Sequence, residues 1–129
     1  LEKLPADIAA EIVSITKETA HFNRTTVVLA INYGGQDEII RAFRKVPQSE
    51  IPALEPDSFS RYLDIPDLPP MDLMIRTGGE KRISNFLLWQ SAYAELYFSD
   101  LLWPDWGGNE LAAAIADYQA RDRRFGNAK

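Results

Sequence analysis

The sequence contains no cysteine, one histidine and two methionines in 129 residues. Without cysteine there are no disulfides and no thiolate metal sites, and the chain suits any redox compartment. The one histidine, His21, stands at a predicted helix end beside Phe22, where a structural or solvated place is expected. Long apolar runs are missing as well. None approaches the roughly 18 to 20 residues that span a bilayer, so at most a peripheral membrane contact is expected. Positive charge is scarce: the formal net charge is −5, which argues against a general nucleic-acid binder. Leu1 to Ala20 mixes charged with apolar residues and has no basic start followed by an apolar block, so no secretory signal is expected and the cytoplasm is the default setting. The chain opens at Leu1 rather than Met, directly on helix signals, as a cut inside a longer protein would.

What is present reads as one soluble domain over 1–129, with 46% hydrophobic and 26% charged residues. Leu4, Ile8, Ile12 and Ile15 recur at helical spacing, and Pro5 suits a first turn, so an amphipathic helix is expected over about 5 to 20. Thr25 to Ile31 is a β-branched and aliphatic run that reads as a strand buried on both faces. Asn32-Tyr33-Gly34-Gly35 ends it, and Ile39, Ile40 and Phe43 mark a second helix to about Val46. A connection with prolines follows, then a short helix capped by Asp57 and a second buried strand, Met71 to Ile75. Phe86, Trp89, Tyr93 and Tyr97 fall at helical spacing, which gives a short helix before a strand within Leu96 to Leu102. Asn109 is expected to cap the last helix, with Leu111, Ile115 and Tyr118 on one face and Gly126 as its stop. Strand and helix alternate, so the fold class is α/β with a mainly parallel sheet flanked by helices. Trp89, Trp103 and Trp106 read as core and turn packing rather than a ligand cage.

The densest polar cluster is Arg76-Thr77-Gly78-Gly79-Glu80-Lys81-Arg82-Ile83-Ser84, directly after the second strand. Ligands of open α/β sheets sit outside the carboxyl ends of strands. Gly78 and Gly79 permit conformations that turn amides toward an anion. Arg76 and Arg82 offer planar forks for phosphate oxygens, and Ser84 adds a hydroxyl. Together they suit a diphosphate clamp; the competing reading is a glycine turn whose arginines pair with Glu80 and Asp72. Glu95 lies in an aromatic and aliphatic stretch where a carboxylate needs a partner. One carboxylate near bound phosphates is enough to serve magnesium, and the alternative is a structural pair with a nearby arginine. Asn32 and Gly34-Gly35 have two readings too, a helix amino end near a phosphate or a plain strand-to-helix turn. The tail from Arg121 to Lys129 carries four basic residues and one acid, Asp122. It suits either the helix dipole or a small anion or partner.

In this order the motifs resemble the cis-prenyltransferase family, to which undecaprenyl diphosphate synthase belongs. Those that carry the likeness are Asn32-Tyr33-Gly34-Gly35, the run from Asp72 to Phe98, Trp103-Pro104-Asp105, and Arg123-Arg124-Phe125-Gly126. The resemblance covers about Leu4 to Gly126 and implies the C-terminal half of that family's fold. It implies that Arg76, Arg82, Ile83 and Ser84 hold the diphosphate of isopentenyl diphosphate, that Glu95 is associated with magnesium, and that Glu80 belongs to the same motif. Arg124 and Gly126 match an Arg-x-Gly element that reaches the neighbouring subunit's site in family homodimers. The implied reaction condenses an allylic diphosphate with isopentenyl diphosphate, forms a cis double bond and releases diphosphate. The family's His-x-Met-Asp-Gly-Asn-Arg-Arg motif, which serves the allylic substrate, has no counterpart here, and Gln36 stands where an arginine is more usual. Three expectations follow: part of a catalytic prenyltransferase, a non-catalytic partner subunit, or a domain that only binds phosphates. The intact Arg76–Ser84 run favours the first, and 1–129 by itself is expected to be inactive.

Overall fold

The structure, a computed structural model, describes residues 4–66 and 68–123. The chain divides into two compact units, 1–33 and 34–129.

In the first unit, the helical spacing of Ile8, Ile12 and Ile15 does give a helix, α1 (Ala6–Thr19), with Pro5 at its N-cap. None of its residues is buried: Ile8 is 48% exposed and Ile15 51%. The expected strand Thr25 to Ile31 does not form. Its residues are irregular and exposed, Val27 by 79% and Leu29 by 69%. A strand exists only by pairing with a neighbour, and no described segment pairs with this one; Ile31 N–H instead donates to the Leu29 carbonyl at 3.2 Å.

The second unit begins with α2 (Gly35–Lys45), whose Ala42 is fully buried. Against it lies α3 (Pro56–Ser60), where Glu55 rather than Asp57 holds the N-cap position. Pro56 at the first helical position supplies a preset φ, and Ser58 Oγ accepts from the Glu55 N–H at 3.0 Å. Ala42, Val46, Phe59 and Leu63 form the core between these segments, with Ile39, Leu54, Tyr62 and Trp89 packed around it. Trp89 lies 4.6 Å from Phe59 between ring centres, and its indole N–H donates to Ser60 Oγ at 3.2 Å. The core reading of Trp89 is correct, whereas Trp103 is 72% exposed in a short 3-10 turn.

Two strands, β1 (Leu73–Arg76) and β2 (Glu95–Phe98), pair in parallel, with Leu73 opposite Glu95 and Arg76 opposite Phe98. The predicted helix through Phe86 and Trp89 is absent. Residues 84–94 run through successive turns, because Ser84, Asn85 and Leu87 take φ values of 46°, 65° and 43°. A right-handed helix cannot contain such residues. The last helix, α4 (Gly108–Ala120), starts one residue before Asn109 and is capped by Glu110, whose carboxylate accepts the Gly107 N–H at 2.9 Å. It ends at Ala120; the expected stop at Gly126 lies outside the described residues. No helix among the described residues is long and apolar enough to cross a membrane.

Candidate functional site

At the carboxyl end of β1 the chain leaves the sheet through Arg76 and Thr77 into Gly78 and Gly79, which take φ values of 88° and 75°. Only glycine adopts such angles without cost, so this sharp exit is written into the Gly-Gly pair. The amides that were expected to face an anion have other partners. Gly78 N–H donates to the Leu101 carbonyl at 2.7 Å and Gly79 N–H to the Ser99 carbonyl at 2.9 Å. The glycines therefore fasten the exit of β1 to the segment after β2.

The turn returns Arg82, Ile83 and Ser84 to Arg76. The Arg76 guanidinium donates through Nη1 to Ser84 Oγ at 2.9 Å and to the Arg82 carbonyl. Arg82 itself is exposed and ion-paired with Glu80. Of the two expected pairings one is present, Arg82 with Glu80; Asp72 pairs elsewhere. Beneath this corner lies a cleft of about 220 Å³ lined by Met74, Ile75, Arg76, Ile83 and Phe86. A largely apolar cleft with one arginine in its wall can take a ligand with an anionic head and a short hydrocarbon body.

The loop that carries Ser84 is strained. Non-glycine residues in the left-handed region cost on the order of 1 to 3 kcal/mol each, and three occur within four positions here. The sequence reading missed the residue that holds them, Asn85. Its carbonyl accepts from the Gly35 N–H at 2.7 Å and its Oδ1 from the Gln36 N–H at 2.9 Å. Gly34 and Gly35, at the amino end of α2, receive this loop. The signal was Asn85 itself, since asparagine tolerates positive φ better than most residues.

A second polar cluster occupies the opposite end of the two strands. Arg121, just past α4, donates through Nη1 to Glu95 Oε2 at 2.7 Å and through Nε to Asp117 Oδ2 at 2.9 Å. These carboxylates raise the Arg121 pKa, Glu95 first and Asp117 second. Arg123 donates to Asp72 Oδ1 at 3.0 Å, and the Tyr118 hydroxyl donates to the same oxygen at 3.0 Å. Partial burial and then the Asp72 carboxylate push the Tyr118 pKa above that of free tyrosine. Glu95 and Arg76 stand at opposite ends of the pairing register, three residues apart or about 10 Å at strand rise. Glu95 thus begins β2 at the end of the strands away from Arg76. Among the described residues no group of three or more histidine, aspartate or glutamate side chains converges as a metal site. Arg124 and Gly126 lie outside the described residues. His21 sits beside Phe22, 4.0 Å between ring centres.

Residues 1–126 match the family model described as putative undecaprenyl diphosphate synthase. The isoprenyl transferase of Treponema denticola is 56% identical over 128 residues, covering 99% of this chain and 56% of that protein. The isoprenyl transferase of Treponema pallidum is 48% identical, covering 97% of this chain and 57% of that one. Among solved structures, a probable undecaprenyl diphosphate synthase from Campylobacter jejuni is similar at a TM-score of 0.80 and 38% identity, over 98% of this chain and 60% of that one. Lavandulyl diphosphate synthase from Lavandula x intermedia, solved with dimethylallyl diphosphate, is similar at a TM-score of 0.89 and 32% identity, over 98% and 57%. The chain thus spans somewhat more than half the length of these relatives. By this likeness over nearly all of its residues, the chain belongs to the undecaprenyl diphosphate synthase family of prenyltransferases.

Proposed function

We propose that this chain supplies the isopentenyl diphosphate end of a cis-prenyltransferase active site, with Arg76, Arg82, Ile83 and Ser84 receiving the substrate. The observation that carries the reading is the Arg76 guanidinium braced by Ser84 Oγ and the Arg82 carbonyl, above a cleft lined by Met74, Ile75, Ile83 and Phe86. The diphosphate takes the rim, where charged hydrogen bonds are strongest. The five-carbon body takes the hollow. In the reaction the allylic carbon–oxygen bond breaks and diphosphate leaves with the bonding electrons. The isopentenyl double bond forms the new carbon–carbon bond, and loss of a proton creates the cis double bond. A homodimer in the cytoplasm, with Arg124 and Gly126 reaching the partner's diphosphate, belongs to the same proposal.

Magnesium, expected at Glu95, is not fitted by the described residues of one chain. Glu95 is a single carboxylate, it is held by Arg121, and it stands at the end of the strands away from Arg76. The decisive experiment is calorimetric titration of the intact protein with isopentenyl diphosphate. Arg76→Ala should weaken binding by about tenfold or more, since charged hydrogen bonds contribute roughly 1.5 to 3 kcal/mol each. Unchanged affinity in a folded variant would sink the reading.

A further inference from the structure

The turn from Ser84 to Leu87 is shaped by the amino end of α2, fifty residues earlier in the chain. The first two amides of that helix, Gly35 and Gln36, have no intrahelical acceptor, and no side chain at the N-cap position serves them. Asn85 takes both, through its carbonyl at 2.7 Å and its Oδ1 at 2.9 Å. The approach is so close that a Cβ on Gly35 would come within 2.8 Å of Leu88 Cγ and 3.0 Å of the Asn85 carbonyl. A Cβ on Gly34 would come within 3.0 Å of Asn85 Nδ2. The Gly-Gly pair is a notch, and Asn85 is what fits it.

The neighbour of Asn85 in the chain is Ser84, whose φ of 46° aims it at the Arg76 guanidinium. Left to itself, a serine rarely holds that angle. We propose that Asn85, seated in the Gly34–Gly35 notch, is a positioning residue: it sets the backbone of Ser84 and thereby the orientation of Arg76 at the diphosphate site. This rests on the reading of Arg76 and Ser84 as that site. Asn85 need not touch the substrate.

The test is a double-mutant cycle on the intact protein, with inorganic diphosphate as the calorimetric probe and thermal melting as the check on folding. Ser84→Ala and Asn85→Ala should each weaken diphosphate binding several-fold. The double variant should be no weaker than the worse single one, because Asn85 acts through Ser84. Additive losses, or wild-type affinity in Asn85→Ala, overturn the inference. Where Asn85→Ala does not fold, Asn85→Gly decides. It keeps the left-handed φ and the carbonyl tether and removes only the Oδ1 tether, so it should show a smaller loss that is again absent in the Ser84→Ala background. A loss that persists in that background overturns the proposal as well. If Ser84→Ala and Arg76→Ala both leave diphosphate binding unchanged, the site reading itself has failed, and this inference with it.

Discussion

Arg121 holds Glu95 across 2.7 Å from just beyond the end of α4, while the same guanidinium grips Asp117 one helical turn back. If this pair is what the Glu95 charge is used for, Glu95→Gln and Arg121→Gln should lower the melting temperature by similar amounts. The double variant should fall no further than either. A rise in the half-saturating magnesium concentration for Glu95→Gln, without the same change in Arg121→Gln, would assign the carboxylate to the metal instead.

Glu80 stands beside Arg82 in an exposed ion pair. Where the ligand is an anion, that carboxylate both neutralises the arginine and repels the newcomer. Glu80→Gln should therefore tighten diphosphate binding by about two- to fivefold at low ionic strength, an effect that fades at 0.5 M salt as screening shortens to a few ångströms. Titration at two salt concentrations checks it, and weaker binding in Glu80→Gln would show that Glu80 helps to hold the ligand.

Glu38 is the most deeply buried charged residue described, 2% exposed. It accepts from the Asp64 N–H at 3.1 Å and from Gln90 Nε2 at 3.1 Å. Replacing it with alanine removes the acceptor of two part-buried donors, which costs about 1 to 3 kcal/mol in all. Urea unfolding of Glu38→Ala should show at least such a loss; a change below half a kilocalorie would mean that water replaces the carboxylate there.

Phe59 is 5% exposed between α2 and Trp89. Phe59→Ala should destabilise the second unit by about 3 to 5 kcal/mol, the range of such core truncations. Phe59→Leu should cost clearly less. Chemical denaturation followed by tryptophan fluorescence reads both.

Tyr118 titrates above the free-tyrosine value of about 10, because partial burial and Asp72 disfavour its phenolate. A raised folded pKa means that the contribution of this group is complete below the unfolded value and is lost as pH rises through the folded one. Absorbance at 295 nm should show a tyrosine that ionises above the free value, and Asp72→Asn should bring it down.

Much of this was legible in the residues. Periodicity located α1, α2 and α4, and the Met71–Ile75 run located β1, which forms at Leu73–Arg76, because those signals are local. What failed was non-local. Thr25 to Ile31 has the composition of a buried strand, yet pairing depends on a neighbour that no composition reveals. Phe86 and Trp89 keep helical spacing, but left-handed residues at Ser84, Asn85 and Leu87 break the helix for the sake of a contact with Gly35. The run from Arg76 to Ser84 was legible as one cluster because a tight turn brings Arg82 and Ser84 back to Arg76. Glu95 stands three register positions from Arg76, because β2 starts beside Leu73, a separation that the spacing of the residues alone does not reveal.

The seating of Asn85 on α2 also binds two events in time. An eleven-residue helix is marginal alone, and a turn with three left-handed residues is unfavourable alone. Each supplies what the other lacks: the turn caps the helix, and the helix bears the cost of the turn. Gln36 and Asn85 are forty-nine residues apart, so the helix start and the Arg76–Ser84 corner should form in a single cooperative step rather than one after the other. In hydrogen exchange the Gly35 and Gln36 amides should open together, and diphosphate added at the proposed Arg76–Ser84 site should slow both equally.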